Sequence, residues 1–221
     1  MVAFLFGAGK GDAPPQPLTA EALIQGLDAA EPGRAYTAAF LIGRCVARDP
    51  AVDRSLSQRL AEIASRAPEP EVAIEAGMSL VLRGRIGRGR EILQDALRAS
   101  GPLGNQYKAA FYLAEMGDPS GYGALVRTLR GEIPHYRLMA LRHALAFAPY
   151  DGRRVDGLLV DVRALLVERL ADPDELVRCE VPFYLEELKV PDLRALLAPV
   201  ARDDPAAAVR TAAQMVLERN P

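Results

Sequence analysis

The apolar residues of this chain recur at the spacing of amphipathic helices, most clearly near its C-terminal end. Residues 162–170 and 177–188 each place four aliphatic side chains at positions that share one helical face. Each segment therefore predicts a helix with one apolar stripe. Because a short polar stretch separates the two segments, together they predict a helical hairpin.

The same hairpin returns 32 residues further on, between positions 172 and 204. Asp172-Pro173 and Val177-Arg178 are repeated as Asp204-Pro205 and Val209-Arg210. A fixed period of this length is typical of solenoids, whose stacked units bury one continuous core. Asp before Pro also predicts a helix start, because Asp can accept a bond from the first turn and Pro has no N–H to leave unsatisfied.

The pattern extends upstream when each unit is defined by an anchor, a small residue four positions on and an aliphatic residue eight positions on. The six anchors are Arg34, Val72, Asn105, Tyr136, Val177 and Val209. Ala stands at the fourth position in five of the six units, and Leu or Ile stands at the eighth position in five. The long step from Tyr136 to Val177 predicts an insertion, placed at Pro149 to Arg154.

These signals predict an all-α fold, a solenoid of about six helical hairpins. The predicted helices pair as 19–29 with 34–47, 51–65 with 70–83, 88–99 with 104–116, 119–130 with 134–147, 154–170 with 174–188, and 191–202 with 206–219. Two further Asp-Pro helix starts are predicted, at Asp49-Pro50 and Asp118-Pro119. The solenoid domain spans residues 18–221, after an extended arm at 1–17 whose Phe4-Leu5-Phe6 is predicted to dock on the first repeat or on a partner.

The pattern resembles HEAT repeats, most closely the short bacterial subtype that is also seen in bilin lyases. Asp-Pro-x-x-x-Val-Arg carries the resemblance; it stands twice between Asp172 and Val216 and is looser in the first half. The resemblance implies a right-handed α-solenoid. In the family, the Arg after the anchor forms a ladder with acidic residues of neighbouring repeats. Arg137, Arg178 and Arg210 match that position, so a ladder is expected in the C-terminal half alone.

Composition narrows the function without identifying it. The 221 residues carry a formal net charge of −2 and neither half is strongly charged, so nucleic acid and anionic membranes are not expected partners. No apolar run approaches the ~18 residues of a membrane helix. Cys45 and Cys179 fall in distant repeats, so no disulfide is expected and a reducing, cytoplasmic location is predicted.

Three sequence features resemble reactive sites only superficially. Gly7-Ala-Gly-Lys10 lacks the first Gly and the Ser or Thr of a phosphate loop. His135 and His143 are about 80° apart on one helix, with no acid at helical spacing between them, so neither a metal site nor a catalytic pair is expected unless the fold supplies one. The turn Arg83–Arg90 is interpreted as a solvated connection or as an anion-binding helix start. No cofactor is expected.

A second apolar stripe on the inner helices is the best functional lead. It lies opposite the core arc, so it is either buried between repeats or exposed as a binding face. The candidate partner-binding residues are Tyr36, Phe40, Met78, Tyr107, Phe111 and Phe183, with Arg142, Arg83, Arg85, Arg88 and Arg90 as polar selectors. A partner, a second copy of the chain or the N-terminal arm is expected to cover the stripe.

We therefore predict a non-enzymatic interaction module, a scaffold or adaptor that holds a protein or peptide on its concave face. The alternative is a lyase or cofactor-loading protein of the HEAT class, resembling the bilin lyases. A third hypothesis, a HEAT-like alkylpurine DNA glycosylase, is disfavoured because the chain has no Trp and a slightly acidic balance.

Overall fold

The computed structural model describes residues 19–45, 49–67, 69–99 and 103–220, and over these residues the chain is an all-α solenoid. Its helices are α1 Ala20–Leu27, α2 Pro32–Arg44, α3 Pro50–Arg66, α4 Pro70–Leu82, α5 Ile86–Arg98, α6 Leu103–Glu115, α7 Tyr122–Leu129, α8 Pro134–His143, α9 Val162–Arg169, α10 Glu175–Glu187, α11 Leu193–Asp203 and α12 Ala207–Arg219. The predicted arm at 1–17 lies outside the described residues, so its docking stays a prediction.

The helices of the described residues form six hairpins, and the second helix of each hairpin contributes to an inner layer. Each even-numbered helix packs against the next even-numbered helix, from α2 to α12. Side chains of α2 and α6 meet over α4, because the Lys108 Nζ donates to the Tyr36 hydroxyl at 2.6 Å. The inner layer is therefore concave at the N-terminal half. No helix in the described part of the chain is long and apolar enough to cross a bilayer.

The predicted repeat positions form the core. All six residues at the fourth position are buried: Ala38, Ala76, Ala109, Ala140, Val181 and Ala213. The six residues at the eighth position are buried as well: Ile42, Leu80, Leu113, Ala144, Leu185 and Leu217. Small side chains at the fourth position let the inner helices approach closely, as Ala109 does beside Ile74 and Leu93. This small cluster joins a larger N-terminal core to a larger C-terminal core.

The predicted insertion is present, but it takes a form that helical periodicity did not predict. After α8 the chain forms a 3-10 helix, Ala144–Tyr150, and then a hairpin of two short strands, β1 Arg154–Val155 and β2 Leu158–Leu159. The prediction of a helix starting at residue 154 is therefore wrong. Asp156 and Gly157 both have positive φ, at 51° and 79°, which is the backbone of a tight hairpin turn.

The Asp-Pro pairs start a helix at one position only. Asp49 caps α3 by accepting a bond from the Ala51 N–H at 2.7 Å, and Pro50 is the first helical residue. Asp172 and Asp204 also accept bonds from the N–H two residues on, at 2.9 Å each, but helices α10 and α12 begin only after that turn. Asp118 does the same before α7.

Asp172 and Asp204 also form the ladder expected in the C-terminal half. The guanidinium of Arg137 bonds both carboxylate oxygens of Asp172, the shortest contacts at 2.9 Å, and also the carbonyls of residues 131 and 132. Arg178 pairs in the same way with Asp204, at 2.8 Å and 3.1 Å. Arg210 bonds the Asp204 carbonyl at 2.6 Å. Arg137 and Arg178 thereby link their own turns to the next repeat, whereas Arg210 bonds the turn of its own hairpin.

Candidate functional site

A cavity of about 500 Å³ opens on the concave face of the N-terminal half. Helices α2 and α4 contribute their first turns, and α6 and α8 each contribute one face. Half of the lining residues are aromatic or imidazole rings: Tyr36, Tyr107, Phe111, Tyr112, Tyr136, His135 and His143. The rings follow helical spacing, because residues three or four apart on a helix lie on the same face. The chain has seven Tyr and six Phe, so five of its thirteen aromatic residues line this one cavity.

A completely buried carboxylate, Glu75 of α4, lies beside the cavity. It accepts a bond from the Arg44 Nη1 at 3.2 Å and one from the Tyr112 hydroxyl at 3.0 Å, and its carboxylate is 3.4 Å from the Lys108 Nζ. A buried charge is tolerated only where opposite charges and hydrogen bonds compensate it. Residues of α2 and α6 supply those partners, so Glu75 ties α2, α4 and α6 together.

The two cations that satisfy Glu75 also lie over aromatic rings. The Arg44 guanidinium carbon is 3.6 Å from the centre of the Phe40 ring. The Lys108 Nζ is 4.3 Å from the centre of the Tyr36 ring. Such positions are attractive because the face of an aromatic ring is electronegative. On this side of the concave face, two cationic side chains of the protein therefore each lie between a carboxylate and an aromatic ring.

His143 forms a flat part of the cavity wall. Its ring stacks on Phe111 at 4.0 Å between centroids and on Tyr107 at 5.8 Å. Burial lowers the pKa of His143 to about 4, and the charges of Lys108 and Arg142 contribute in the same direction. The imidazole is therefore neutral at neutral pH and acts as a ring rather than as a charge.

Three tyrosine hydroxyls of the cavity, those of Tyr36, Tyr107 and Tyr112, stay protonated over the ordinary pH range. Burial raises the pKa of Tyr107 to about 12, and the carboxylate of Glu71 contributes in the same direction. Burial also raises the pKa values of Tyr36 and Tyr112, and beside Tyr112 the charge of Glu75 adds to the effect. The hydroxyls are therefore hydrogen-bonding groups, not latent anions.

Two exposed carboxylates, Glu69 and Glu71, stand at the rim of the cavity. Glu69 is the residue before α4, and its side chain forms no capping bond. Among the described residues neither carboxylate has an ion-pair partner, in contrast to Glu75. The rim is therefore acidic, whereas the charge of the buried Glu75 is balanced by its own neighbours.

The structure divides the predicted stripe between core and surface. Tyr36, Tyr107 and Phe111 come together in the cavity, but Tyr107 is only 7% exposed and Ile74 of the same stripe is completely buried. Phe40 and Met78 are half-buried beside the cavity and do not line it. Tyr107 is thus part of the fold as well as of the wall, so we expect Tyr107→Ala to lower stability.

The rest of the stripe belongs to a different region. Phe183 lies on α10, half-buried, with the Arg219 guanidinium 5.6 Å from its ring centre. Arg142 is exposed and 3.6 Å from a carboxylate oxygen of Glu180. Neither residue lines the aromatic cavity, in which only Tyr36, Tyr107 and Phe111 of the candidates come together.

The four arginines after α4 are engaged within the fold. The Arg83 side chain is 3% exposed; it pairs with Asp53 and donates to the Ile42 carbonyl at 2.7 Å. Arg85 also pairs with Asp53, Arg88 pairs with Glu91, and Arg90 donates to the carbonyl of residue 116. The turn follows the last residue of α4, whereas the cavity uses its first turn, about 20 Å away along the helix. Arg83 in particular is a buried structural residue and not a solvated selector.

Sequence reasoning missed several residues of the site: Glu75, Lys108, Tyr112, Tyr136, Met139 and the wall role of His143. One signal was available. Glu75 interrupts an otherwise apolar run of α4, and a lone acid at such a position needs a cationic partner. The identity of that partner was not available from spacing, because Lys108 lies 33 positions away, one repeat further along the chain.

Comparison with known proteins supports the fold and leaves the function open. No protein-family model matches the chain, and no curated protein matches it. YibA from Escherichia coli aligns with a TM-score of 0.55 and 18% identity, over 91% of this chain and 71% of that one. An engineered protein aligns with a TM-score of 0.51 and 16% identity, over 91% and 98%. These likenesses support a helical repeat fold.

Proposed function

We propose that this protein is a non-enzymatic interaction scaffold that binds an extended segment of a partner protein in the aromatic cavity of its concave face. The observation that carries the proposal is the cavity itself, in which four inner helices surround one volume of about 500 Å³, and half of the lining residues are aromatic or imidazole rings. We further propose that the repeats belong to the HEAT class. The Arg137–Asp172 and Arg178–Asp204 ladder supports that assignment.

The walls have the properties of a recognition surface. Aromatic side chains supply a large contact area with few rotatable bonds, so little conformational entropy is lost when a partner is bound. Phe111 is held by His143, and Tyr36 and Tyr112 are held by hydrogen bonds to Lys108 and Glu75. Walls fixed in this way are preorganised for binding.

The titratable groups of the cavity favour binding over catalysis. Glu75 is balanced by two cations, and Lys108 is shared between Glu75 and the Tyr36 hydroxyl. His143 is neutral and stacked on neighbouring rings. A general acid or base needs a proton-accepting or proton-donating atom directed at a substrate. Around Glu75 those atoms are directed at one another.

The proposal is tested by selecting a phage-displayed library of random 12-residue peptides on the immobilised protein. We expect the native protein to enrich a family of related sequences. The Phe111→Ala variant should not enrich them, because the substitution removes one ring of the Phe111–His143 stack in the cavity wall. Met215→Ala is the matched control, since Met215 is an exposed inner-helix residue outside the cavity. Failure to enrich any family, or equal enrichment by Phe111→Ala, would contradict the proposed function.

A further inference from the structure

We infer that the cavity receives an arginine side chain of the bound segment, held against the aromatic walls and paired with the rim carboxylates Glu69 and Glu71. The inference rests on the proposed function and adds the chemistry of the occupant. It is drawn from three features of the described residues: a precedent within the chain, the sign of the charge at the rim, and the neutral walls.

The precedent is Arg44. Its guanidinium lies 3.6 Å from the centre of the Phe40 ring and donates to Glu75 at 3.2 Å, which is the arrangement inferred for the occupant. A planar guanidinium stacks on a ring and still directs its N–H groups at a carboxylate in the ring's neighbourhood. The concave face therefore already contains one copy of the combination of arginine, ring and glutamate.

The rim supplies the complementary charge. Glu69 and Glu71 both line the cavity, both are exposed, and neither pairs with a cation in the part of the chain that the structure describes. The positive charge of Lys108 is already shared with Glu75. An incoming cation therefore meets two uncompensated carboxylates, whereas an incoming carboxylate would be repelled by them.

One wall residue, Lys108, is itself a cation, but its charge is shared with Glu75, and the rings around it are neutral. His143 is neutral at neutral pH, because burial lowers its pKa. The hydroxyls of Tyr36 and Tyr112 are committed to partners within the chain, which leaves the ring surfaces of the half-buried Tyr36, Phe111 and Tyr136 as the contact area. A flat, weakly hydrated group suits such walls better than a compact, strongly hydrated ammonium. This favours arginine over lysine.

The experiment begins with the peptides selected by the native protein. We expect arginine to be enriched at one fixed position of the selected family. A synthetic peptide of that family, labelled with fluorescein, is then measured by fluorescence anisotropy beside two versions with citrulline or lysine at that position. Citrulline keeps the shape of arginine and removes its charge, so we expect the citrulline peptide to bind roughly tenfold or more weakly than the arginine peptide. The affinity of the lysine peptide should lie between those of the other two.

The matching change on the protein is the double variant Glu69→Gln and Glu71→Gln. We expect the double variant to bind the arginine peptide roughly tenfold more weakly than the native protein does. Its affinity for the citrulline peptide should be almost unchanged, because only the ion pair with the arginine is removed. Glu187→Gln, an exposed glutamate of α10 outside the cavity, is the control and should alter neither affinity. All three glutamates are exposed, so the variants should keep the native melting temperature.

The outcomes separate the two proposals. A selected family without arginine, or an arginine peptide that binds the double variant as tightly as the native protein, overturns the arginine inference and leaves the binding cavity in place. Failure to select any family contradicts the proposed function and the inference together. Arginine enrichment with the predicted loss in the double variant, and none in Glu187→Gln, supports both.

Discussion

The two halves of this solenoid stack the same kind of helical hairpin by different means. In the C-terminal half, Arg137 and Arg178 reach from one repeat to the Asp of the next, and the arginine side chains and the turn carbonyls satisfy one another. In the N-terminal half the ladder positions hold Ala35, Ala73 and Gln106, which carry no charge to pair with an Asp; Gln106 donates to the Ala99 carbonyl, at 2.9 Å, and accepts a bond from Arg127. There, α2, α4 and α6 are joined on the concave side through Glu75 and its cations.

Because of this difference, the contacts that stabilise the stack and the surface that we propose for binding lie in different places. The ladder lies in the turns, so it stabilises the stack without occupying the concave face. The Glu75 cluster lies on the concave face and draws aromatic and charged side chains of three repeats into one place. Where such a cluster takes the place of the ladder, the concave face has a cavity with a hydrogen-bonded ionic group beside it. We regard the C-terminal half as the stabilising part and the N-terminal half as the binding part.

The largest effect is expected at the ladder. Asp172 is 2% exposed and bonds Arg137 and Arg169, so Asp172→Asn leaves the buried Arg137 guanidinium without a carboxylate and removes one of the two carboxylates that pair with Arg169. We expect a loss of about 3–5 kcal/mol in the free energy of unfolding, measured by urea denaturation followed by circular dichroism.

Glu75→Gln is the corresponding change in the N-terminal half. Its partners Arg44 and Lys108 are partly exposed, at 39% and 20% of their side chains, so they can turn to water when the charge is removed. We expect a smaller loss, about 1–3 kcal/mol. Equal losses in the two variants would remove the distinction between the halves.

The junction between the halves gives the next largest effect. Ala109 is completely buried in the small cluster with Ile74, Leu93 and Leu113, so Ala109→Leu overpacks the contact between α4, α5 and α6. We expect a loss of about 1–3 kcal/mol, and a much smaller effect from the exposed control Ala207→Leu. The same urea midpoint for both variants would show that the repeats are aligned incorrectly.

The helices and the buried positions could be predicted from the sequence, because period and residue size are local properties. The exceptions have identifiable physical causes. Asp172 and Asp204 do not cap α10 and α12, because a turn follows each of them and Asp174 and Ala206 are the N-cap residues. Residues 154–159 form a hairpin because Asp156-Gly157 permits positive φ at both turn positions, a signal that the apolar spacing around it obscured.

The candidate site was less predictable, for a different reason. Tyr36, Tyr107 and Phe111 were identified as one stripe, but whether a stripe is buried depends on how strongly the repeats curve. Curvature brings Lys108 of α6 onto Tyr36 of α2, and no spacing within one helix encodes that contact. The same curvature buries Tyr107 and leaves Phe183 of α10 outside the cavity.

A smaller, pH-dependent effect is expected at His143, on the face of α8 that lines the cavity. The pKa of His143 is about 4 in the folded chain, against 6.5 for a histidine that is free in water, so between these values the unfolded chain binds a proton and the folded chain does not. Stability should therefore fall as the pH is lowered from about 6.5 towards 4, by on the order of 2 kcal/mol from this group.

His143→Phe keeps the stacked ring and removes the titrating group. We expect the difference in unfolding free energy between pH 7.5 and pH 4.5 to shrink by about the same 2 kcal/mol, as measured by urea denaturation at both values. An unchanged pH dependence would show that His143 titrates normally, and the neutral wall proposed for the cavity would then be wrong.

The most direct test of the binding cavity is a methyl NMR titration with a peptide selected on the native protein. Methionine methyl labelling gives five signals from this chain; Met139 lines the cavity, and Met215 lies exposed on α12. The account predicts that the Met139 signal moves with added peptide until the site is saturated, while the Met215 signal stays in place. Movement of Met215 with a stationary Met139 would contradict it and place the binding surface in the C-terminal half.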